Sequence, residues 1–114
     1  MSPPALKKNY YLVHAPDLPN AQRGKHTPKH VEYSLPLVKS GHMMAAGGIL
    51  PQTAHSSDAD VADKILGTFL LVQADTVEQA WERLKGDAFW TSGEVWDREK
   101  VTVTPVYVGA PKVE

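Results

Sequence analysis

A β-α-β-β-α-β order of elements, and so an α+β domain, is what this 114-residue sequence predicts, on three observations. Four stretches rich in β-branched, aliphatic and aromatic residues, YYLVH, HMMAAGGIL, KILGTFLLVQA and KVTVTPVYVG, are bounded by turn signals. Two segments with helical spacing of apolar residues lie between the first and second and between the third and fourth of them. Pro105 cannot donate to a ladder, so the last strand belongs at an edge or carries a bulge. This is the split βαβ, or ferredoxin-like, arrangement: an antiparallel four-stranded sheet, ordered 4-1-3-2, with two helices on one face.

Each element has its own reasons. The first strand is read at about 9–15, followed by the turn signal AP-DLPN and a polar loop through Lys25. Thr27 reads as a helix N-cap with Pro28 in the first helical position, where a missing N–H does no harm. Val31, Leu35 and Val38 form an apolar stripe, and Gly41 supplies the stop. Pro36 should bend or break this helix between Glu32 and Pro36. The second strand, 42–50, contains Gly47 and Gly48, which suggest a bulge or a close backbone approach. Residues 51–63 form a polar loop before the third strand at 64–74. The second helix, 76–85, has the clearest signals. Asp75 or Thr76 can cap it with Glu78 or Gln79, Val77, Ala80, Trp81 and Leu84 form its buried stripe, and Gly86 ends it after Arg83 and Lys85. A helical turn after Asp87 and a last strand at 100–109 complete the chain.

Composition narrows the class. The sequence predicts one domain over 1–114, with a core at 9–109 and flexible ends at 1–8 and 110–114. There are no cysteines, so neither a disulfide framework nor a thiolate metal site is available. With no apolar stretch of signal-peptide or membrane-spanning length, a cytoplasmic protein that meets no membrane is expected. Twelve basic and thirteen acidic residues are scattered without a basic block, which argues against nucleic acid. The third strand loosely resembles an RNA-recognition strand but offers one aromatic, Phe69. Ile65, Leu66, Phe69, Leu70, Leu71 and Val72 send apolar groups to both faces of that strand, whereas a sheet with one wet face should alternate. A homodimer formed through the open sheet face is the expected cover.

The residues that could carry chemistry are His30 and Asp87. With Thr27 as N-cap, His30 would be the N3 residue, where the positive end of the dipole keeps an imidazole neutral and able to accept a proton. An aspartate beside it would fix its tautomer. Asp87 follows a helix-stop glycine and precedes Phe89, Trp90 and Trp96, which could wall a pocket or serve packing. The competing readings are an ordinary first-turn histidine and an aspartate that caps the turn at Ala88. His14 and Tyr33 join Phe89 and Trp90 as candidate substrate contacts. His26 and His30 have a spacing that can share a metal, but His26 precedes the expected helix and no HExxH pattern surrounds the pair, so no metal is predicted.

The stretches YYLVHAPD, TPKHVEYSLPLVKSGHMMAAGGIL, GTFLLVQADTVEQAWERL and GDAFWTSGEVWDREKVTVTPVYVG together resemble the YciI-like (YCII-related) domain family over about residues 9–109. The resemblance rests on a histidine early in the first helix (His30), glycine after the second strand (Gly47, Gly48) and an aspartate–aromatic element (Asp87, Phe89). It implies a subunit of the dimeric α+β barrel type with a His–Asp active site. It also brings in a relative that eliminates hydrogen chloride from a chlorinated hydroxylated ring. Two positions depart from the family pattern. Thr27 stands where members often carry arginine, leaving Arg23 or Lys25 for an anionic substrate, and Ala88 replaces the proline after the aspartate.

The function expected is that of a small homodimeric enzyme without a cofactor. His30 would be its general acid/base, oriented by Asp87, in elimination or isomerisation of a small oxygenated, aromatic-type compound. The rival is a non-catalytic small-ligand-binding dimer that uses the same cleft.

Overall fold

The computed structural model describes residues 9–110, so the flexible ends expected at 1–8 and 110–114 lie outside the described residues apart from Ala110. Along the chain come β1 (Tyr10–Pro16), α1 (Arg23–Lys39), β2 (Met43–Ile49), β3 (Gly67–Gln73), α2 (Val77–Lys85), α3 (Ala88–Thr91) and β4 (Thr102–Val106). A 3-10 turn, Val61–Lys64, precedes β3. The strands form one sheet in the order β2-β3-β1-β4, with every neighbouring pair antiparallel. This is the ferredoxin-like α+β topology expected. Among the described residues β4 has β1 as its only neighbour, so Pro105, opposite Tyr11, interrupts no interior ladder.

Side-chain alternation divides the sheet. Tyr11, Val13 and Ala15 of β1 and Leu70 and Val72 of β3 are buried in one core with Met43, Ala80, Leu84, Phe89, Val95 and Trp96. The intervening residues Leu12, His14, Phe69 and Leu71 belong to the other face, because strand side chains alternate. Leu12 there is 41% exposed. The irregularity in β2 falls between Met43 and Ala45, before the glycine pair. The glycines instead permit close approach. A Cβ on Gly47 would stand 2.5 Å from the Phe69 ring, and one on Gly48 2.8 Å from Ile65.

α1 departs from expectation in two ways. It does not start at Thr27–Pro28 but at Arg23, and Pro28 lies inside it. Among the described residues no side chain caps it; the Gln22 N–H donates to Glu94 O at 2.9 Å, Arg23 pairs with Asp17, and Lys25 and His26 meet Glu94. These contacts across the chain anchor an additional turn that local propensity does not indicate. Within it the Thr27 hydroxyl donates to Arg23 O at 2.7 Å. Nor does Pro36 break the helix, which continues to Lys39 and ends before Gly41 at φ 81°.

The second departure is the buried face. Val31, Leu35 and Val38, the expected core stripe, are 43%, 48% and 50% exposed. The inward face holds Arg23, His26, His30, Tyr33, Ser34 and Leu37. Helical spacing is present in both sets. The ion pairs and ring contacts of the polar set determine which of them faces the sheet.

α2 agrees more closely. Thr76 Oγ1 accepts from Gln79 N–H at 3.1 Å, and Gln79 Oε1 accepts from Asp75 N–H at 2.7 Å, a reciprocal cap. Ala80 and Leu84 are fully buried, while Val77 and Trp81 of the expected stripe are partly buried at its margin.

Candidate active site

Gly86 ends α2, and the chain turns at once into α3 with Asp87 as its N-cap. The Asp87 carboxylate is buried and accepts the Phe89 N–H at 2.9 Å. The same carboxylate meets His30 Nδ1, at 2.7 Å from Oδ2 and 2.9 Å from Oδ1. An ionised carboxylate only accepts, so Nδ1 carries the proton, and in the neutral ring Nε2 is the acceptor. Phe89 lies flat against the imidazole, with centroids 4.0 Å apart and planes 3° from parallel. One short turn thus supplies both the carboxylate and the ring that orient His30. Capping and holding the histidine are compatible uses of Asp87. The dipole argument is corrected, however: with α1 starting at Arg23, His30 lies beyond the first turn, where that field has faded.

His30 and Phe89 open onto a cleft of about 970 Å³ at the mouth between α1 and the ends of β1, β2 and β3. Its polar wall includes Asp17, Arg23, Thr27, Asp63 and Thr68, and its apolar wall Leu18, Ile65 and Leu66. A mainly apolar hollow with a few convergent polar groups is the usual form of a small-molecule site.

Of the expected substrate contacts, the structure brings only Phe89 to this cleft. His14 stands on the open face of the sheet, opposite Phe69 and Thr102. Trp90 meets Trp81 edge-on at 6.2 Å and lies beneath Lys85 and Arg98, so it packs α3 against α2. Tyr33 lies between helices, its hydroxyl donating to Arg83 O at 2.7 Å. These three are set apart by strand parity and helix packing, which short-range patterns do not reveal. Burial, and then the nearby Asp87 carboxylate, raise the Tyr33 phenol above its ordinary 10.0, with Arg83 opposing. A raised folded-state value favours the protonated phenol, so this stabilisation is present below pH 10 and is lost as pH rises through the folded-state value. Urea unfolding between pH 8 and 11 should show a steeper alkaline loss for the wild type than for Tyr33→Phe. At pH 8 that variant should be less stable by about 0.5–1.5 kcal/mol, for one hydrogen bond. Identical alkaline slopes would contradict this account.

Two residues of the site region, Asp17 and Thr68, were not indicated by sequence patterns, whereas Arg23 was indicated as an anion-binding substitute and Trp96 as a candidate pocket wall. Arg23 Nε and Nη2 engage the two oxygens of Asp17, Nη2 to Oδ1 at 2.9 Å. Arg23 Nη2 also donates to Thr68 Oγ1 at 2.6 Å, and the Trp96 indole N–H donates to the same hydroxyl at 3.0 Å. Asp17 reads locally as part of a turn, and nothing near Thr68 marks its partners. Beside this network, Glu94 is held below the usual carboxylate range by the hydrogen bond from His26, then by Lys25. His26 is therefore engaged with Glu94, and among the described residues no group of three His, Cys, Asp or Glu side chains is placed to hold a metal.

The topology is that of a ferredoxin-like α+β domain with a cleft at the end of its sheet. The chain belongs to the YCII-related domain family, whose model matches residues 9–104. No curated protein sequence matches it. Among solved structures it is similar to the 5-chloro-2-hydroxyhydroquinone dehydrochlorinase of Burkholderia phenoliruptrix in complex with 2,5-dihydroxybenzoquinone. The TM-score is 0.71 at 20% sequence identity, covering 88% of this chain and 95% of that one. At that identity the likeness speaks for the fold. No helix among the described residues is long and apolar enough to cross a membrane.

Proposed function

We propose that the protein is a cofactor-independent acid/base enzyme that eliminates from, or isomerises, a small oxygenated ring compound. The observation that carries this reading is the His30–Asp87 contact of 2.7 Å at the wall of the cleft, with Nε2 left for a ligand. In this mechanism Nε2 removes a proton from substrate. In an elimination the freed electron pair forms the new double bond and the leaving group departs with its bonding pair; in an isomerisation the proton returns at another carbon. Asp87 keeps Nδ1 protonated and the ring in one orientation, which is the part a second group plays in general-base catalysis. Membership of the YCII-related family and the fold shared with a dehydrochlorinase support the reaction class. The test is a panel of chlorinated and hydroxylated aromatics, with chloride release and isomer formation followed by ion and liquid chromatography. Turnover that vanishes in His30→Gln is expected; turnover equal to wild type in that variant would exclude the mechanism.

The working unit in this proposal is a homodimer formed through the open sheet face. Leu12 is 41% exposed there, and Phe69 and Leu71 beside it are only partly covered. Apolar side chains of this size on one face favour association. Sedimentation equilibrium at micromolar concentration should give the dimer mass, and a monomer would rule this out.

A further inference from the structure

The cleft contains a second polar feature that the His30–Asp87 reading does not use. Arg23 and Asp17 are joined side-on: Nε and Nη2 face the carboxylate, and Nη2 is shared with Thr68. Among the described residues Nη1 has no partner, although a guanidinium carries five N–H donors and two of them are on that nitrogen. The His30 and Arg23 side chains both pack on one ring. The His30 imidazole is 4.0 Å from the Phe89 centroid, and the Arg23 guanidinium carbon is 5.0 Å from it. Phe89 itself is only 2% exposed, so a small molecule in the cleft lies beside the His30 and Arg23 side chains that line it.

We propose that Arg23 is the oxygen-binding residue of this site and that its ligand is an uncharged, largely apolar ring bearing hydroxyl or carbonyl oxygens. The inference rests on the acid/base reading of His30 for its chemistry, but the binding claim stands apart from it. Three observations set the substrate class. The apolar wall of Leu18, Ile65 and Leu66 suits a ring body. The lining carries one guanidinium against two carboxylates, Asp17 and Asp63, a balance unfavourable to phosphate and other compact anions. Asp17, with a side chain only 9% exposed, holds the guanidinium by two hydrogen bonds, so Nη1 is a fixed donor. When His30 takes a proton adjacent to a carbonyl, the freed pair moves onto the carbonyl oxygen. A guanidinium donor held in the cleft beside that oxygen would stabilise the charge as it forms. Expulsion of a leaving group with its pair, or return of the proton, completes the step.

The test uses the intact chain and catechol, a neutral dihydroxylated ring, with inorganic phosphate as the anionic probe, each titrated into isotopically labelled protein and followed by NMR. Catechol is expected to shift the Arg23 guanidinium and His30 ring signals while those of Arg83 and Arg98 stay put. Arg23→Lys, which keeps the charge but not the side-on geometry, should weaken catechol binding by about tenfold or more, as loss of a charged hydrogen bond implies. Asp17→Asn removes one carboxylate and should bring phosphate binding that the wild type lacks. The proposal is overturned if wild-type Arg23 signals are unmoved by catechol, if phosphate binds the wild type more tightly than catechol, or if a folded Arg23→Lys binds catechol as the wild type does. Should Arg23→Lys fail to fold, the wild-type guanidinium signals decide the matter. Arg23-dependent binding without turnover of any ring in the panel would remove the acid/base reading and leave the oxygen-binding role intact.

Discussion

His30→Ala should reduce turnover of a ring compound identified as substrate by about 10²–10⁴-fold, the range supplied by a positioned general acid or base. Among the described residues that line the cleft, the imidazole is the one ring held at Nδ1 by a buried carboxylate, and in the proposed mechanism its other nitrogen transfers the proton. Asp87→Asn should cost less. An asparagine oxygen can still accept the Phe89 N–H, so α3 keeps its cap, while the ring loses the partner that fixes its tautomer. The double variant should be little worse than His30→Ala alone, because residues that act as one unit are not additive. Steady-state kcat/KM for the four proteins decides this. Losses that multiply independently would mean that the aspartate does not act through the histidine. Urea midpoints should accompany the kinetics, since Asp87 also holds the start of α3.

Trp96→Ala should have the largest effect on stability, about 3–5 kcal/mol, as expected for truncating a large core side chain. Trp96 is 1% exposed and meets Phe89 edge-on, with centroids 5.8 Å apart. Its indole N–H also donates to Thr68 Oγ1, the hydroxyl that receives Arg23. The substitution therefore opens a cavity under Phe89 and removes one partner from the Asp17–Arg23–Thr68 network. Trp96→Phe keeps most of the volume and should lose chiefly the hydrogen bond, about 0.5–1.5 kcal/mol. Equilibrium unfolding in urea separates the two variants. A loss below about 1 kcal/mol for Trp96→Ala would show that the core does not depend on this ring, contrary to the usual behaviour of buried tryptophan.

The two outcomes draw on different parts of the molecule, yet both pass through Phe89. Its backbone N–H is capped by Asp87, one face of its ring supports His30, and its edge contact leads to Trp96. Local geometry at α3 therefore joins the buried core to the cleft wall. A core substitution under Phe89 should consequently affect turnover as well as folding, whereas His30→Ala should affect turnover far more than stability.

What the sequence determined by itself was the order of elements, the strand order and α2. Pro105 required an edge, Gly41 a helix stop and the Thr76–Gln79 spacing a cap, and each of these constraints acts over a few residues. The aspartate–aromatic element after Gly86 marked Asp87 and Phe89 for the same reason: a capped turn is a local structure. What only the tertiary structure decided was the start and rotation of α1. Thr27–Pro28 is a strong local start signal, but the ion pair from Arg23 to Asp17 and the hydrogen bond between His26 and Glu94 extend the helix by a further turn. Those same contacts turn His30 and Arg23 inward and leave Val31, Leu35 and Val38 outside. Apolar periodicity reports that a helix has a preferred face only when burial is governed by hydrophobic area. Here charged and aromatic partners distant in sequence govern it, and a periodicity confined to one helix carries no information about them.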